Sequence, residues 1–195
     1  METKENANQQ SNIWLILCKD WLLLVFISAL GFVWEQVFVL ITMREIAESG
    51  FLHLPICPIY GFTIIGFFYL IGTPHRGRYA LKHIKPVFWR YAVYALFAFL
   101  LPSLIELGVG VLFDKVWDVR FWDYSSHPLN IGGYVSLPIS LAWTVALTLF
   151  MRILFSPMRA FFQSASAKFS VIATVISATA IMTDFIYCLA LLILR

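Results

Sequence analysis

The sequence has little charge and few of the features that mark a soluble or secreted protein. Only 13% of its 195 residues are charged, against about 25% in an average soluble domain. Its three cysteines show neither a disulfide framework nor metal-type spacing, and no GxxxxGK[ST] phosphate loop is present. The first twelve residues are polar, so we expect no cleaved secretory signal. These absences exclude a disulfide-stapled domain and an ATPase.

Apolar residues dominate the composition instead. They make up 61% of the chain, and the mean hydropathy is +0.81. A soluble domain of this size needs far more polar surface to cover itself, so lipid must replace water around much of the chain. Backbone groups in hydrocarbon have to be hydrogen-bonded internally, and no alternating strand pattern is present. The predicted fold class is therefore all-α, a polytopic transmembrane helix bundle.

Apolar windows of about 20 residues, the length that crosses a hydrocarbon core of about 30 Å, mark the spans. We predict five, at 21–43, 56–72, 87–113, 134–154 and 169–193. The second is short and carries Pro58 near its start, which predicts an irregular or re-entrant beginning. Residues 1–20 are predicted as a polar N-terminal segment with an interfacial anchor, and 21–195 as a single transmembrane domain.

The loop charges predict the orientation. Ten lysines and arginines lie on one side, in the segments before the first span, between the second and third, and between the fourth and fifth, or at the adjoining span ends (Arg90 and Arg152), whereas four lie on the opposite side. Because these residues are retained in the cytoplasm, we expect a cytoplasmic N-terminus. The net charge of +3 thus comes from basic residues that lie next to the lipid bilayer and determine the topology. No nucleic-acid partner is expected.

Three carboxylates fall within the predicted spans: Glu35, Glu106 and Asp184. An ionised, unpaired acid at the centre of a membrane helix costs about 2.5 to 3.5 kcal/mol, so each needs a proton, a partner, water or a cation. Small and hydroxyl residues share their helix faces, which favours contact with other helices. We predict that the three acids line one outward-facing polar cavity. The alternative is that each bonds a neighbouring group and only stabilises the bundle.

Two segments, FLHLPICPIYGF at 51–62 and VWDVRFWDYSSHPLNIGGY at 116–134, are predicted to form the mouth of this cavity. Asp123 and Asn130 are candidates for contacting solute or orienting a lid. The aromatic residues that would shape the mouth are Tyr60, Trp122 and Tyr124. Metal donors are present at His53, Cys57, Asp123 and His127, but without a defined ligand spacing we predict no metal site and no cofactor.

Several of these residues form a pattern that extends from about residue 30 to 145. It comprises Trp34, Glu35, Gly50, Phe51, Leu52, the CPIYGF run at 57–62, Glu106, the WDYS run at 122–125, Asn130, Gly133 and Ser140. In these residues the chain resembles the bacterial ABC-transporter type IV, or CmpB-like permease, family. The resemblance implies a permease of the bacterial inner membrane. Two positions where the family pattern has arginine are Ser49 and Tyr134, so Arg44, Arg120, protonation or a bound cation would balance the acids.

The hypothesis from the sequence is a permease-like protein that moves a small polar or cationic solute. Its energy would come from a separate ATPase subunit or an ion gradient, and five spans favour a homo-oligomer or a partner. We assign no catalytic residue. The alternatives are an intramembrane enzyme that uses Asp123 or Glu106 with His127 on a lipid or headgroup substrate, and a scaffold or regulator that binds through residues 114–131.

Overall fold

A computed structural model describes residues 2–43 and 51–194, and it is 75% helical. The helices are α1 (Glu2–Met43), α2 (Pro58–Leu70), α3 (Val87–Trp117), α4 (Leu137–Ile153), α5 (Phe155–Gln163) and α6 (Ala167–Ile193). A short 3-10 helix covers Tyr79–His83, and two short strands are β1 (Asn130–Ile131) and β2 (Val135–Ser136). The predicted all-α fold class is confirmed.

Within residues 2–43 and 51–194, three helical segments are long and apolar enough to cross a membrane: Gln10–Val37 within α1, α3, and α6. The helices α4 and α5 are bent by 48° and add a fourth span if they are counted together. The 13 residues of α2 rise about 20 Å, less than a hydrocarbon core of about 30 Å. No helix is formed in the described residues just before Pro58, so the irregular start of the second predicted segment is observed.

Contact clustering divides the chain into two compact units. The first comprises Met1–Ile65 and Ser156–Arg195. In it α1 and α6 run parallel, because the Thr174 hydroxyl donates to the Cys18 carbonyl (3.0 Å) and the Trp21 indole donates to the Ser177 hydroxyl (3.0 Å). Hydroxyl side chains on α6 thus face α1. The prediction of a single domain from residue 21 onward stays a prediction.

The beginning of α2 packs antiparallel against α1 in this first unit. A Cβ atom on Gly31 would collide with the ring of Tyr60, and one on Gly61 would collide with the Leu24 carbonyl and the Ser28 hydroxyl. Both glycines therefore permit a close helix approach that a side chain would block. The glycine of the CPIYG run accordingly has a packing role.

The second unit is Gly66–Phe155, in which α3 and α4 are antiparallel. Tyr134, just before α4, hydrogen-bonds Asp114 near the end of α3, while Arg152 near the end of α4 lies 5.7 Å from the ring centre of Tyr91. Between these helices, β1 and β2 form a small hairpin in which Asn130 pairs with Ser136. Its turn needs glycine, since Gly132 and Gly133 have φ values of 60° and 76°.

Candidate functional site

A cluster of three side chains joins the 51–57 segment to α6. The His53 Nδ1 atom lies 3.1 Å from Asp184 Oδ1 and 3.1 Å from Cys188 Sγ, and the sulfur lies 3.7 Å from the same carboxylate oxygen. The other oxygen of Asp184 accepts the backbone N–H of Leu54 at 2.9 Å. Because Asp184 and Cys188 are four residues apart, they lie on one face of α6. The 51–57 segment supplies the third group.

The surroundings of this cluster are mixed in polarity. The Asp184 side chain is 14% exposed, whereas the His53 side chain is 64% exposed. Cys188 is buried and packs with Leu52 and Ile56. An open cavity of about 410 Å³ adjoins the cluster, and its lining comprises Phe51, His53, Cys188, Leu191 and Leu192. The cluster therefore combines a buried sulfur with an imidazole that solvent can reach.

Glu35 has a partner from the same segment. It is half-buried on α1, and its carboxylate is hydrogen-bonded by the thiol of Cys57. The Cys57 backbone N–H donates to the Ser28 carbonyl at 2.9 Å, which fixes the segment against α1. Tyr60, in the first turn of α2, packs against Gly31. In this unit the CPIYG run thus positions a thiol at a membrane carboxylate.

Glu106, on α3, is contacted by the 118–129 loop of the second unit. The hydroxyl of Tyr124 donates to its carboxylate at 3.0 Å. The Tyr124 backbone N–H donates to the Gly133 carbonyl at 2.8 Å, and the Trp122 indole donates to the Tyr134 carbonyl at 2.8 Å. Trp122 and Tyr124 therefore hydrogen-bond the loop to the hairpin, and the Tyr124 hydroxyl also contacts Glu106.

Asn130 and Asp123 order this loop from within. The Asn130 amide nitrogen donates to the Ser125 and His127 carbonyls, and its oxygen accepts from the Gly133 N–H at 3.1 Å. Asp123 accepts the Ser125 N–H at 2.9 Å. Hydrogen bonds from Ser125, with a smaller contribution from Arg120, lower the pKa of Asp123 below its usual value. Both candidate residues therefore have internal roles in shaping the loop.

Arg120 is engaged within the second unit. Its guanidinium lies 3.5 Å from Asp114 and 3.4 Å from Asp123, and it stacks on the Tyr134 ring. The Tyr134 hydroxyl donates a hydrogen bond to the Asp114 carboxylate. Among the described residues Arg120 makes no salt bridge with Glu106. The residues Arg44, Ser49 and Gly50 of the sequence prediction lie outside the described residues.

The enzyme alternative requires His127 to act together with Asp123 or Glu106. His127 lies against the Tyr124 ring, with centroids 5.6 Å apart, and its Nδ1 atom is 3.4 Å from the Ser126 hydroxyl. Within the part of the chain that the structure describes, His127 hydrogen-bonds neither Asp123 nor Glu106. The contacts of this loop thus give no support to proton transfer between His127 and either of the two acids.

Sequence reasoning identified His53 and Asp184 separately but not their partnership with Cys188. The signal available was the four-residue spacing of Asp184 and Cys188 in a helix, although nothing in the sequence indicated that His53 would meet them. Asp114 was missed because the third span was predicted to end at residue 113, whereas α3 continues to Trp117. Since Glu106 belongs to a different compact unit from Glu35 and Asp184, the shared cavity stays a prediction.

The fold and these contacts define a class: a multi-pass helical membrane protein with carboxylates on its apolar helices. The sequence pattern of the family described as "Putative ABC-transporter type IV" matches residues 22–189, so the chain belongs to that family. A search of curated proteins and a search of solved structures each found no match.

Proposed function

We propose that the protein is the membrane-embedded permease of a transport system and that its carboxylates bind a small polar or cationic solute. The observation that carries this proposal is the partner set of the three acids. Glu35 meets a thiol, Glu106 meets a phenol, and Asp184 meets an imidazole. Among the described residues, no lysine or arginine forms a salt bridge with any of them.

The energetics of membrane burial support this use of the acids. A carboxylate fixed by arginine has no need of another cation, whereas one held by an uncharged or titratable group can exchange a proton or a cation. Each partner also comes from outside the long helices, from the 51–57 segment or the 118–129 loop. These segments are placed to change solute access when they move. Asp123 and Asn130 would act by shaping the loop, together with Trp122 and Tyr124.

The energy source we propose is a separate ATPase subunit. The family description names an ABC transporter, and the chain has no phosphate-binding loop of its own. An ion gradient is the other source, since membrane carboxylates commonly carry protons or ions. A homo-oligomer or the ATPase partner would complete a machine that has few spans.

The directions of the helices support five crossings. In the first unit α1 and α6 are parallel, so an odd number of crossings lies between them. The antiparallel α3 and α4 supply two when α3 and the bent α4–α5 pair each cross once. A crossing by the segment that contains α2 would be the third, and α6 would then be the fifth span. Together with the loop charges, five crossings support a cytoplasmic N-terminus in the bacterial inner membrane.

The test is solute flux in proteoliposomes that contain the purified protein with any co-purifying ATPase. Probes are radiolabelled sodium, rubidium and choline, with and without ATP and with an imposed pH gradient. We expect Glu35→Gln, Glu106→Gln and Asp184→Asn each to reduce uptake, by about tenfold for every 1.4 kcal/mol of solute interaction that is lost.

The matched control is Asp118→Asn, which removes an exposed carboxylate at a left-handed position that asparagine tolerates. It should leave uptake unchanged. Normal uptake in all three amide variants, with only their stability altered, would overturn the proposal. Lipid turnover that disappears in Asp123→Asn and His127→Ala would instead favour an enzyme, and a partner retained through residues 114–131 without flux would favour a scaffold.

A further inference from the structure

We propose that His53, Asp184 and Cys188 bind a divalent transition-metal ion of the zinc class. The three groups offer one imidazole nitrogen, one carboxylate oxygen and one thiolate sulfur, contributed by the 51–57 segment and α6. From the sequence alone we predict no metal site, because the donors considered there have no defined ligand spacing: His53, Cys57, Asp123 and His127. The proposal does not depend on solute transport, although Asp184 takes part in both.

The distances match a tetrahedral site. With zinc bonds of about 2.0 to 2.3 Å, tetrahedral angles give edges of about 3.3 to 3.5 Å between nitrogen and oxygen ligands and about 3.5 to 3.6 Å from either of them to sulfur. The observed edges are 3.1 Å for His53 to Asp184, 3.1 Å for His53 to Cys188, and 3.7 Å for Cys188 to Asp184. An ion can therefore be placed among the three atoms with only small shifts of the exposed His53 side chain.

The geometry also argues against a nucleophilic triad. In a Cys–His–Asp triad the cysteine and the aspartate contact opposite nitrogens of the imidazole, so that one orients the ring while the other gives up its proton. Here Asp184 and Cys188 both approach Nδ1. A carboxylate oxygen and a sulfur that both approach one nitrogen are suited to binding a common ion. In this arrangement neither group contacts Nε2, as one of them would in a triad.

The surroundings fit a bound ion with an open position. Asp184 uses its second oxygen to accept the Leu54 N–H, which orients the carboxylate as hydrogen bonds to metal ligands commonly do. The adjoining cavity of about 410 Å³ provides room for a water or solute as fourth ligand. A thiolate and an imidazole select zinc, cobalt or copper over magnesium and calcium. The ion would tie the 51–57 segment to α6.

The test is Co²⁺ titration of the purified, reduced full-length protein in detergent, with Mg²⁺ as the control ion and Zn²⁺ as the competitor. We expect one equivalent of Co²⁺ with tetrahedral visible bands and a thiolate charge-transfer band, both displaced by Zn²⁺. Cys188→Ser should abolish the charge-transfer band. His53→Gln, at an exposed position that leaves folding intact, should weaken binding about 100-fold or more, since even loss of a group that only orients a ligand costs 10 to 100-fold.

Matched controls are Cys57→Ser and Cys18→Ser, which should retain the spectrum. Glu35→Gln and Glu106→Gln should also bind Co²⁺ normally even if they abolish flux, so failure of the metal site and failure of the transport proposal are distinguishable. Absence of bound Co²⁺ in the wild-type protein, or a charge-transfer band that persists in Cys188→Ser, would overturn the proposal.

Discussion

Two acidic positions in the first unit are held in opposite ways. Asp20 on α1 is 2% exposed, and both of its oxygens accept from the Arg159 guanidinium at 2.9 Å, with Gln163 adding a bond of 2.8 Å. Asp184 on α6 forms no salt bridge with an arginine of residues 2–43 or 51–194 and instead meets the exposed imidazole of His53. One acid has a guanidinium partner, whereas the other has an imidazole partner.

This difference distinguishes an acid that stabilises the fold from acids that can bind a proton, a solute or a cation. A bidentate guanidinium contact neutralises Asp20 permanently and joins α1 to α5. Glu35, Glu106 and Asp184 instead have a thiol, a phenol and an imidazole as partners. The negative charge of these carboxylates can therefore be balanced by a proton, a solute or an ion. The way to test this interpretation is to remove the partner from each kind of acid and compare the losses.

The largest effect is expected at the permanently paired acid. Arg159→Met leaves the Asp20 carboxylate buried without its cation and should cost about 3 kcal/mol of unfolding free energy, at the low end for a broken buried pair because the Arg159 side chain is 27% exposed. The measurement is denaturant unfolding in detergent micelles.

The double variant Asp20→Leu with Arg159→Met serves as the control. It removes both charges, so it should recover most of the lost stability. If Arg159→Met alone were as stable as the wild-type protein, Asp20 would not be a structural acid, and the contrast with Asp184 would disappear.

A smaller effect is expected where the partner is neutral. Tyr124→Phe removes the 3.0 Å hydrogen bond to Glu106 and should cost about 0.6 kcal/mol, and no more than about 1.7 kcal/mol, the range for hydrogen bonds within membrane proteins. A double-mutant cycle with Glu106→Leu measures the coupling between the two groups. A coupling as large as that of Asp20 with Arg159 would mean that Glu106 is held as firmly as a structural acid.

The smallest effect is expected at the exposed loop acid. Its hydrogen bonds lower the pKa of Asp123 in the folded loop, so the carboxylate form stabilises the loop. This contribution is complete above the unfolded pKa of about 3.9 and is lost as the pH falls through the lower folded pKa. Hydrogen exchange at the Ser125 amide, compared with the Asp123→Asn variant, measures it. Equal pH dependence in both proteins would contradict this assignment.

The fold class could be predicted from composition because lipid imposes helices on any chain with so much apolar sequence. The irregular start before Pro58 could also be predicted, because proline restricts the residue that precedes it. Family membership followed from the CPIYG and WDYS runs, and the match over residues 22–189 confirms it.

Side-chain partners could not be predicted in the same way. Nothing local to Glu106 indicates that Tyr124, 18 residues later, will reach it, and nothing near Asp184 points to His53, 131 residues earlier. Such contacts depend on how helices and loops pack, which periodicity does not report. The hydrogen bonds that Asn130 makes within its own loop likewise follow from the turn geometry around Gly133 rather than from residue type.

The ion pair of α1 with α5 also constrains biosynthesis. Arg159 is translated 139 residues after Asp20, which corresponds to about 7 to 28 s at about 5 to 20 residues per second. During that interval Asp20 cannot form its bidentate contact with Arg159, because Arg159 has not yet been synthesised. The contact that joins α1 to α5 therefore forms late in synthesis.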